Sequence, residues 1–561
     1  MNKYIIGVAL VAGLSLSSCS DFLDVQPEGS TTTTTYFTSD QQAMDAIDPV
    51  YYDLTNGDDM FGRDFMYEQA AACDIVWGRS RSFNTLATFQ YTGDEDPLRN
   101  IFSLMYKEMT NCNFIIKNLG RKANLTAIET RTLGEAYFLR AFCHFYIAYR
   151  YGTDKLGVPF VRWEDYAGEY DNSIPPQRAT VMENYDLIIQ DLKTAENLLP
   201  RFEEYGMDEQ GRAHKAAAVA YMAKTYAYWA TWEASKWNDV ITCVNKLETE
   251  YGRGLAEEYN DVFSCEFEDF WNKEYLFSIP STGGANGGGT ELPGVMLFNK
   301  CWGLYNGWGY FKPTEGLYQE FLKDGNYVID WNTFDSDNYY IGDVTHNTRL
   351  RRSMLSYGDP WFIFGNYWGY SGESDIPAGF MVYKYMEAFK YSDAIARGYV
   401  NSNGNYPTVR INMPLIRMAE MYLFRAEAYL MTNQAPKATE DINLLRIRGK
   451  VAPLTRTATT ADLYHERRVE LAFEFSDHLF DLKRWHRSSD ATLKSLAGAE
   501  LSSQPTVRIY ERNAFDSPYT VQPYADYQNK LQYNDDFMTY PYPSQQVTKA
   551  NGALKQLPCW Q

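Results

Sequence analysis

Positive charge is scarce in this sequence. Its 52 Lys and Arg face 72 Asp and Glu, a net charge of −20 over 561 residues. So acidic a body repels phosphate backbones and anionic lipid headgroups, which excludes nucleic acid as a partner. Histidine is also scarce: the six are His144, His214, His346, His465, His478 and His486. None forms an H-E-x-x-H pair, and no serine stands in G-x-S-x-G, so the spacings that announce a hydrolase are missing. Asp335-Ser-Asp337-Asn338 begins like a calcium loop. Tyr339 and Tyr340 then take the fifth and sixth positions, where a ligand and a glycine are needed. Cysteine offers no C-x-x-C. Beyond Cys19 the set is Cys73, Cys112, Cys143, Cys243, Cys265, Cys301 and Cys559, odd in number and neither a disulfide framework nor a zinc site. Cys112, Cys143 and Cys243 fall in helical patterns and read as small buried hydrophobes. No catalytic residue, metal-ligand set or cofactor fingerprint emerges. Carboxylates are numerous enough for many glycosidase-like pairs, which only separation in space distinguishes.

Long apolar runs are missing after the first residues, so nothing further along the chain spans a bilayer. The opening MNKYIIGVALVAGLSLSSC has one positive residue, Lys3, and an apolar stretch from Ile5 to Leu16. It is too short for a good membrane span and reads as an export signal over residues 1–18. Leu16-Ser-Ser-Cys19 resembles a bacterial lipobox, in which the cysteine is acylated and becomes the new amino terminus. More than one acyl chain on Cys19 gives a stable membrane anchor. Residues 19–38, acidic at Asp21 and Asp24 and threonine-rich from Thr31 to Thr35, read as the acylated cysteine and its tether.

What the chain has in quantity is helical periodicity and aromatic rings. Helices are predicted over Ser39–Thr55, Pro97–Leu119, Asn124–Arg150, from Thr180 to Leu199, His214–Trp232 and Glu233–Tyr251. Thr126 and Glu129 have capping-box spacing. The stretch from Asn412 to Arg487 follows the same rule. Ile416, Ala419, Leu423, Ala426 and Leu430 recur at steps of three and four, placing them on one helix face. A second helix, Ala435–Arg448, stops at Gly449, and a third starts near Thr460. Small residues along these seams let helices approach closely, as in tetratricopeptide (TPR) pairs. The predicted fold class is mostly α: TPR-like helix pairs at about 98–251 and 413–487 form a scaffold.

A long segment, about 252–411, interrupts that pattern. It holds STGGANGGGT at Ser281–Thr290, a flexible stretch. Next come Trp302, Tyr305 and Trp308 spaced among glycines, and later Trp361, Tyr367 and Trp368 in the same style. Gly lets a loop turn sharply enough to present a ring. Sugar rings have C–H faces that stack on indole and phenol, while their hydroxyls require directional partners. Some of these six rings are expected to touch a ligand, and the others to fill the segment's own core. A similar setting lies at Asp74-Ile-Val-Trp77-Gly-Arg-Ser-Arg81-Ser-Phe-Asn84. Trp77 offers a flat face there, and Asp74, Arg81 and Asn84 offer hydrogen bonds. The same stretch also reads as a loop anchor packed on the helices. A peptide-binding TPR scaffold accounts for the helices but leaves these aromatic loops unexplained.

Four passages together resemble the SusD/RagB-like family of outer-membrane glycan-binding lipoproteins. They are GEAYFLRAFCHFYIAYRYG, MAEMYLFRAEAYL, ERRVELAFEFSDHLFDLKRW and the ending Tyr540-Pro-Tyr-Pro-Ser-Gln with Asn551-Gly-Ala-Leu-Lys-Gln-Leu-Pro-Cys-Trp560. Gly379–Tyr385 resembles a strand-like family passage leading back to the helices. The ending departs from the family pattern at Leu557 and Cys559. The resemblance implies one domain over 39–561, a glycan platform built from the inserted loops together with the Asp74–Asn84 stretch, and binding without catalysis. It also implies a partner, a SusC-like TonB-dependent transporter over which the protein sits as a lid. Arg417, Glu420, Arg425, Glu427, Arg467, Glu470 and Arg484 are then structural ion pairs, which agrees with the rule that charges on an apolar helix face must be paired.

Overall fold

The computed structural model describes residues 36–55, 61, 64–77, 84–160, 162–165, 177–264, 271–280, 310–333, 343–356, 362–363, 366–367, 379–385, 400–403, 406–409, 411–511 and 518–561. At 55, 77, 165, 362–363, 366–367, 400–403 and 406–409 only the backbone is described. Cys19, Arg81, Trp302, Tyr305, Trp308, Trp361, Trp368, Cys265, Cys301 and the Asp335–Tyr340 stretch lie outside the described residues.

The molecule is mostly helical. The helices are α1 (Asp40–Thr55), α2 (Asp64–Gln69), α3 (Asn84–Ala87), α4 (Asp96–Leu119), α5 (Ala127–Tyr151), α6 (Val181–Leu198), α7 (Lys215–Trp229) and α8 (Trp237–Thr249). They continue as α9 (Glu315–Leu322), α10 (Thr348–Ser353), α11 (Met418–Met431), α12 (Ala435–Arg448), α13 (Thr460–Glu470), α14 (His478–His486), α15 (Ala491–Ser502) and α16 (Ser544–Lys549). Local chemistry sets the starts. At α5, Thr126 Oγ1 accepts from the Glu129 N–H at 3.1 Å, and the Glu129 carboxylate accepts from the Thr126 N–H at 3.1 Å, closing the capping box. At α6, Thr180 Oγ1 accepts from the Glu183 N–H at 3.4 Å. At α7 the ring of buried His214 accepts from the Ala217 N–H at 3.3 Å. Burial holds His214 well below the usual histidine range, so the ring is neutral and can accept.

Successive helices pack as α4/α5, α5/α6, α6/α7, α7/α8 and α11/α12, and α11 packs on both α7 and α8. The two helical stretches, some 170 residues apart in sequence, are thus one layered scaffold. Buried alanines make the close approach possible: Ala216, Ala217, Ala220, Ala223 and Ala227 on α7, and Ala419, Ala426 and Ala428 on α11. Cys112, Cys143 and Cys243 are buried free thiols in this core. Between α8 and α11 the described residues form only short pieces: two-stranded ribbons and the small helices α9 and α10.

The structure departs from the periodicity at Ile416. The helix begins at Met418, and Met413–Arg417 is a strand paired antiparallel with Tyr275–Ile279, Met413 opposite Ile279 and Arg417 opposite Tyr275. Backbone pairing with a distant segment overrides a local pattern that continues unbroken into the helix. The helix expected to start at Glu233 begins at Trp237, after a 3₁₀ turn over Ala234–Lys236.

This strand pair carries a cluster of buried charges. Arg417 donates to Glu474 (2.6 Å), Glu274 (2.6 Å) and Glu470 (2.9 Å). Arg448 donates to Glu274 at 2.6 Å and also to Glu470. Arg349 reaches Glu466, Glu470 and Asp324, and Lys384 reaches Glu474 at 2.7 Å. Burial alone would raise Glu470, but Arg448, Arg417 and Arg349 hold it down to about 2. The other expected charges pair likewise. Arg425 binds Asp441 and Glu248, Arg467 binds Glu420 and Asp481, and Arg484 binds Glu427 and Asp481.

Arg417→Ala leaves three carboxylates with too little countercharge, and is expected to cost about 3–5 kcal/mol, read from urea unfolding. A second expectation concerns pH. His465 lies between Glu320 (2.6 Å) and Asp324 (3.0 Å). Arg349 and Arg446 also face Asp324, and Arg468 and Lys323 face Glu320. Burial opposes charge on the ring, but the two carboxylates outweigh it and raise His465 from 6.5 to about 9. The protonated ring therefore stabilises the fold fully below pH 6.5, and that contribution, on the order of 3 kcal/mol, is lost as pH rises through about 9. His465→Gln should flatten the fall in unfolding free energy across this window.

Candidate functional site

The Asp74–Asn84 stretch is built on a two-stranded ribbon. Cys73 adopts φ +64°, turning the chain out of a 3₁₀ turn into the strand Ile75–Trp77. That strand pairs antiparallel with Phe311–Pro313: Ile75 opposite Pro313, Val76 opposite Lys312, Trp77 opposite Phe311. Thr314 locks the far end, its hydroxyl donating to the Cys73 carbonyl at 2.8 Å and its N–H to the Asp74 carbonyl at 3.1 Å. The same hydroxyl accepts from the Leu317 N–H and caps α9. Ile75, Val76 and Phe311 are buried, and the Phe311 ring meets Tyr67 edge-on at 5.2 Å. Because the pair is antiparallel, the chain leaves Trp77 at the end where it enters Phe311.

A second ribbon packs beside the first. Phe380–Val382 pairs with Met354–Ser356 and contacts the strand Phe311–Pro313. The segment holding Trp361, Tyr367 and Trp368 joins Ser356 to Phe380, which stand opposite each other. Tyr367 itself lies in a small hairpin, paired by backbone with Phe362. Arg508 clamps this ribbon. It donates to Glu315 (2.6 Å) and to the Ser356 hydroxyl (2.7 Å), and its guanidinium lies 4.5 Å from the Phe380 ring and 4.4 Å from Tyr519. Gly379, at φ +78°, passes so close that a Cβ would sit 2.7 Å from Arg508 Cβ.

Asp74 is tied into the protein. Its carboxylate accepts from Arg468 at 2.5 and 2.9 Å, and His478 Nε2 stands 3.4 Å away. The same His478 nitrogen is 2.9 Å from Glu500, and Tyr464 also donates to Glu500. Against the cost of burial, Arg468 and His478 hold Glu500 below the ordinary carboxylate range, and Glu500 with Asp74 raises His478. The cavity beside Asp74, lined also by Arg467, Arg468 and His478, measures about 30 Å³, room for a water-sized guest rather than a sugar ring. Asp74, His478 and Glu500 offer three donor atoms within 4.8 Å of one another. Arg468 and the raised His478 both face these two carboxylates. Asn84 opens α3 and is buried, and its Oδ1 has no hydrogen-bond partner among the described residues.

Sequence reasoning missed Arg468, His478, Glu500 and Arg508, which come from helices and a hairpin far along the chain. Only the doubled arginine Arg467-Arg468 hinted at two opposed ion pairs.

The family model described as "SusD family" matches residues 273–560, and one described as "Starch-binding associating with outer membrane" matches residues 21–227. The chain is 25% identical over 512 residues to a SusD-like protein of Bacteroides ovatus, covering 87% of this chain and 83% of that protein. It is 24% identical over 524 residues to the starch-binding protein SusD of Bacteroides thetaiotaomicron, covering 84% and 88%. The crystal structure of a SusD-like carbohydrate binding protein from Bacteroides fragilis shares the fold, with a TM-score of 0.69 at 22% identity over 92% of this chain and 99% of that one.

Asp74→Ala removes the shortest hydrogen bonds of Arg468, leaving it Glu320 at 3.5 Å and Glu500 at 3.8 Å, and is expected to destabilise the protein by about 1–3 kcal/mol whether or not a ligand is present. Urea unfolding with and without glycan checks this. An unchanged midpoint would contradict the tie to Arg468.

Proposed function

The chain belongs to the SusD family, and on that premise we propose that it is a cell-surface protein that captures a glycan and passes it to an outer-membrane transporter. The observation that carries the reading is the Trp77–Phe311 pairing. It attaches the Asp74–Asn84 stretch and the Trp302–Trp308 stretch to the same end of one ribbon, although more than 200 residues separate them. Aromatic residues on two segments that join one ribbon end suit a sugar chain, which needs stacking faces in series with polar groups between them. Trp77, Trp302, Tyr305, Trp308, Trp361, Tyr367 and Trp368 are the stacking residues in this reading. Arg81 and the side-chain amide of Asn84 orient hydroxyls. Asp74 acts through Arg468 instead, as a positioning residue. Relatives named as starch-binding and carbohydrate-binding proteins support a sugar ligand and binding rather than bond cleavage. Acylation at Cys19 holds the protein to the outer membrane, and a SusC-like TonB-dependent transporter is the partner over which it closes.

The test is calorimetry of the full chain against a polysaccharide panel, with product analysis in parallel. One glycan should bind without being shortened, and Trp77→Ala or Trp302→Ala should weaken it at least about ten-fold, as for a central aromatic anchor. Shortened products would replace binding with hydrolysis, and no binding across the panel would overturn the reading.

A further inference from the structure

A second cavity shares no residue with the aromatic ribbon. It measures about 300 Å³ and lies between α1, the turn before α7 and the strand Tyr275–Ile279. We propose that it is a separate carbohydrate site that takes one neutral, hexose-sized sugar residue. The inference stands on the cavity itself and holds whether or not the ribbon loops bind glycan.

Size comes first. The volume is ten times that of the cavity beside Asp74 and sits at the lower end for small-ligand pockets. The walls supply flat apolar faces, from Tyr51 and Tyr52 on α1 and from Trp271. Tyr52 is 58% exposed, so its ring has little core packing to do. An aromatic face open to water at a cavity mouth suits the C–H face of a pyranose.

The polar groups are selective. Ser278 is 4% exposed, and its Oγ has no hydrogen-bond partner among the described residues. A buried hydroxyl left unpaired costs free energy, which a ligand hydroxyl would recover. Asp48, Asp208 and Glu209 line the cavity against a single cation, Arg212. Arg212 is already engaged by Asp48 at 2.6 Å and by buried Glu135 at 3.5 Å. Glu209 is also held by Arg131 at 2.9 Å, so three lining carboxylates face two guanidiniums, and the remaining negative charge accepts from sugar hydroxyls and disfavours uronates and sulfated sugars.

The walls are also preformed. The Ala213 N–H donates to Tyr51 Oη at 3.1 Å, and the Arg212 guanidinium lies 5.6 Å from the Tyr51 ring. Gly211 is pressed against Pro280, where a Cβ would approach Cγ to 3.0 Å. A cavity already shaped needs little ordering on binding.

Saturation-transfer NMR on the full chain tests this with methyl glycosides of glucose, galactose, mannose and xylose, and with glucuronate as the charged control. At least one neutral probe should receive transfer and glucuronate none. Tyr52→Ala should weaken that probe about three- to ten-fold, the range expected for loss of one stacked ring. Ser278→Ala should also weaken it while leaving Tm unchanged or raised, because deleting an unpaired buried hydroxyl is not destabilising. Trp302→Ala should leave the Tyr52-dependent part of the signal intact. Absence of transfer to every neutral probe would overturn the inference, as would a signal indifferent to both Tyr52→Ala and Ser278→Ala. A signal abolished by Trp302→Ala alone would assign the sugar to the ribbon loops and overturn the second site.

Discussion

Arg417 is the charge on which the remainder of the structure depends. Its guanidinium meets carboxylates from three directions: Glu274 at the start of one strand, Glu470 at the end of α13, and Glu474 beyond it. Through those acids it is linked to Arg448 on α12, Arg349 on α10 and Lys384 beside the second ribbon. Buried ions are costly to desolvate, and the cost is recovered only where geometry and hydrogen bonding are complete. A cluster of this kind therefore tolerates few alternative packings. It fixes the inserted ribbons to the helical scaffold in one arrangement, a job that apolar contacts between short strands would do with less selectivity.

The scaffold was legible because its signals are local. Helix periodicity and the Thr126–Glu129 capping box act within a few residues of where they are read, and α5 starts where they put it; α12 ends before Gly449 as read, but the left-handed residue there is Lys450, at φ +54°. The misplacement of Ile416 has the opposite cause. Nothing near Met413 announces a strand; the partner that makes it one is Tyr275–Ile279, some 140 residues earlier. The pairing of charges was foreseeable in kind, since an arginine on an apolar helix face must have an acid. Which acid was not, because Glu274 and Asp441 reach Arg417 and Arg425 from other elements.

The site divides in the same way. The residue types that stack on sugars could be found by composition and glycine spacing. That the Trp77 and Trp302 segments join one ribbon end could not, because the pairing of Trp77 with Phe311 is a long-range event with no local mark. Asp74 shows the limit clearly. A polar residue three positions before a tryptophan reads as a ligand contact, yet its carboxylate is held by Arg468 and His478. Sequence alone gives no way to tell an acid that faces solvent from one that anchors a loop.

The pairing of Tyr275–Ile279 with Met413–Arg417 has a consequence for how such a protein can change over generations. The segment from Pro280 to Asn412 departs and returns at adjacent strand ends, Ile279 lying opposite Met413. The helices also hold the segment from within, through Arg349 on Glu466 and Glu470 and Lys384 on Glu474. Lengthening or shortening the loops between those anchors leaves the joint intact, since extra length in a closed loop costs little. Selection can therefore act on those loops as exchangeable pieces, while Asp324, Arg349 and Lys384 stay under the same constraint as the scaffold whose charge cluster they share.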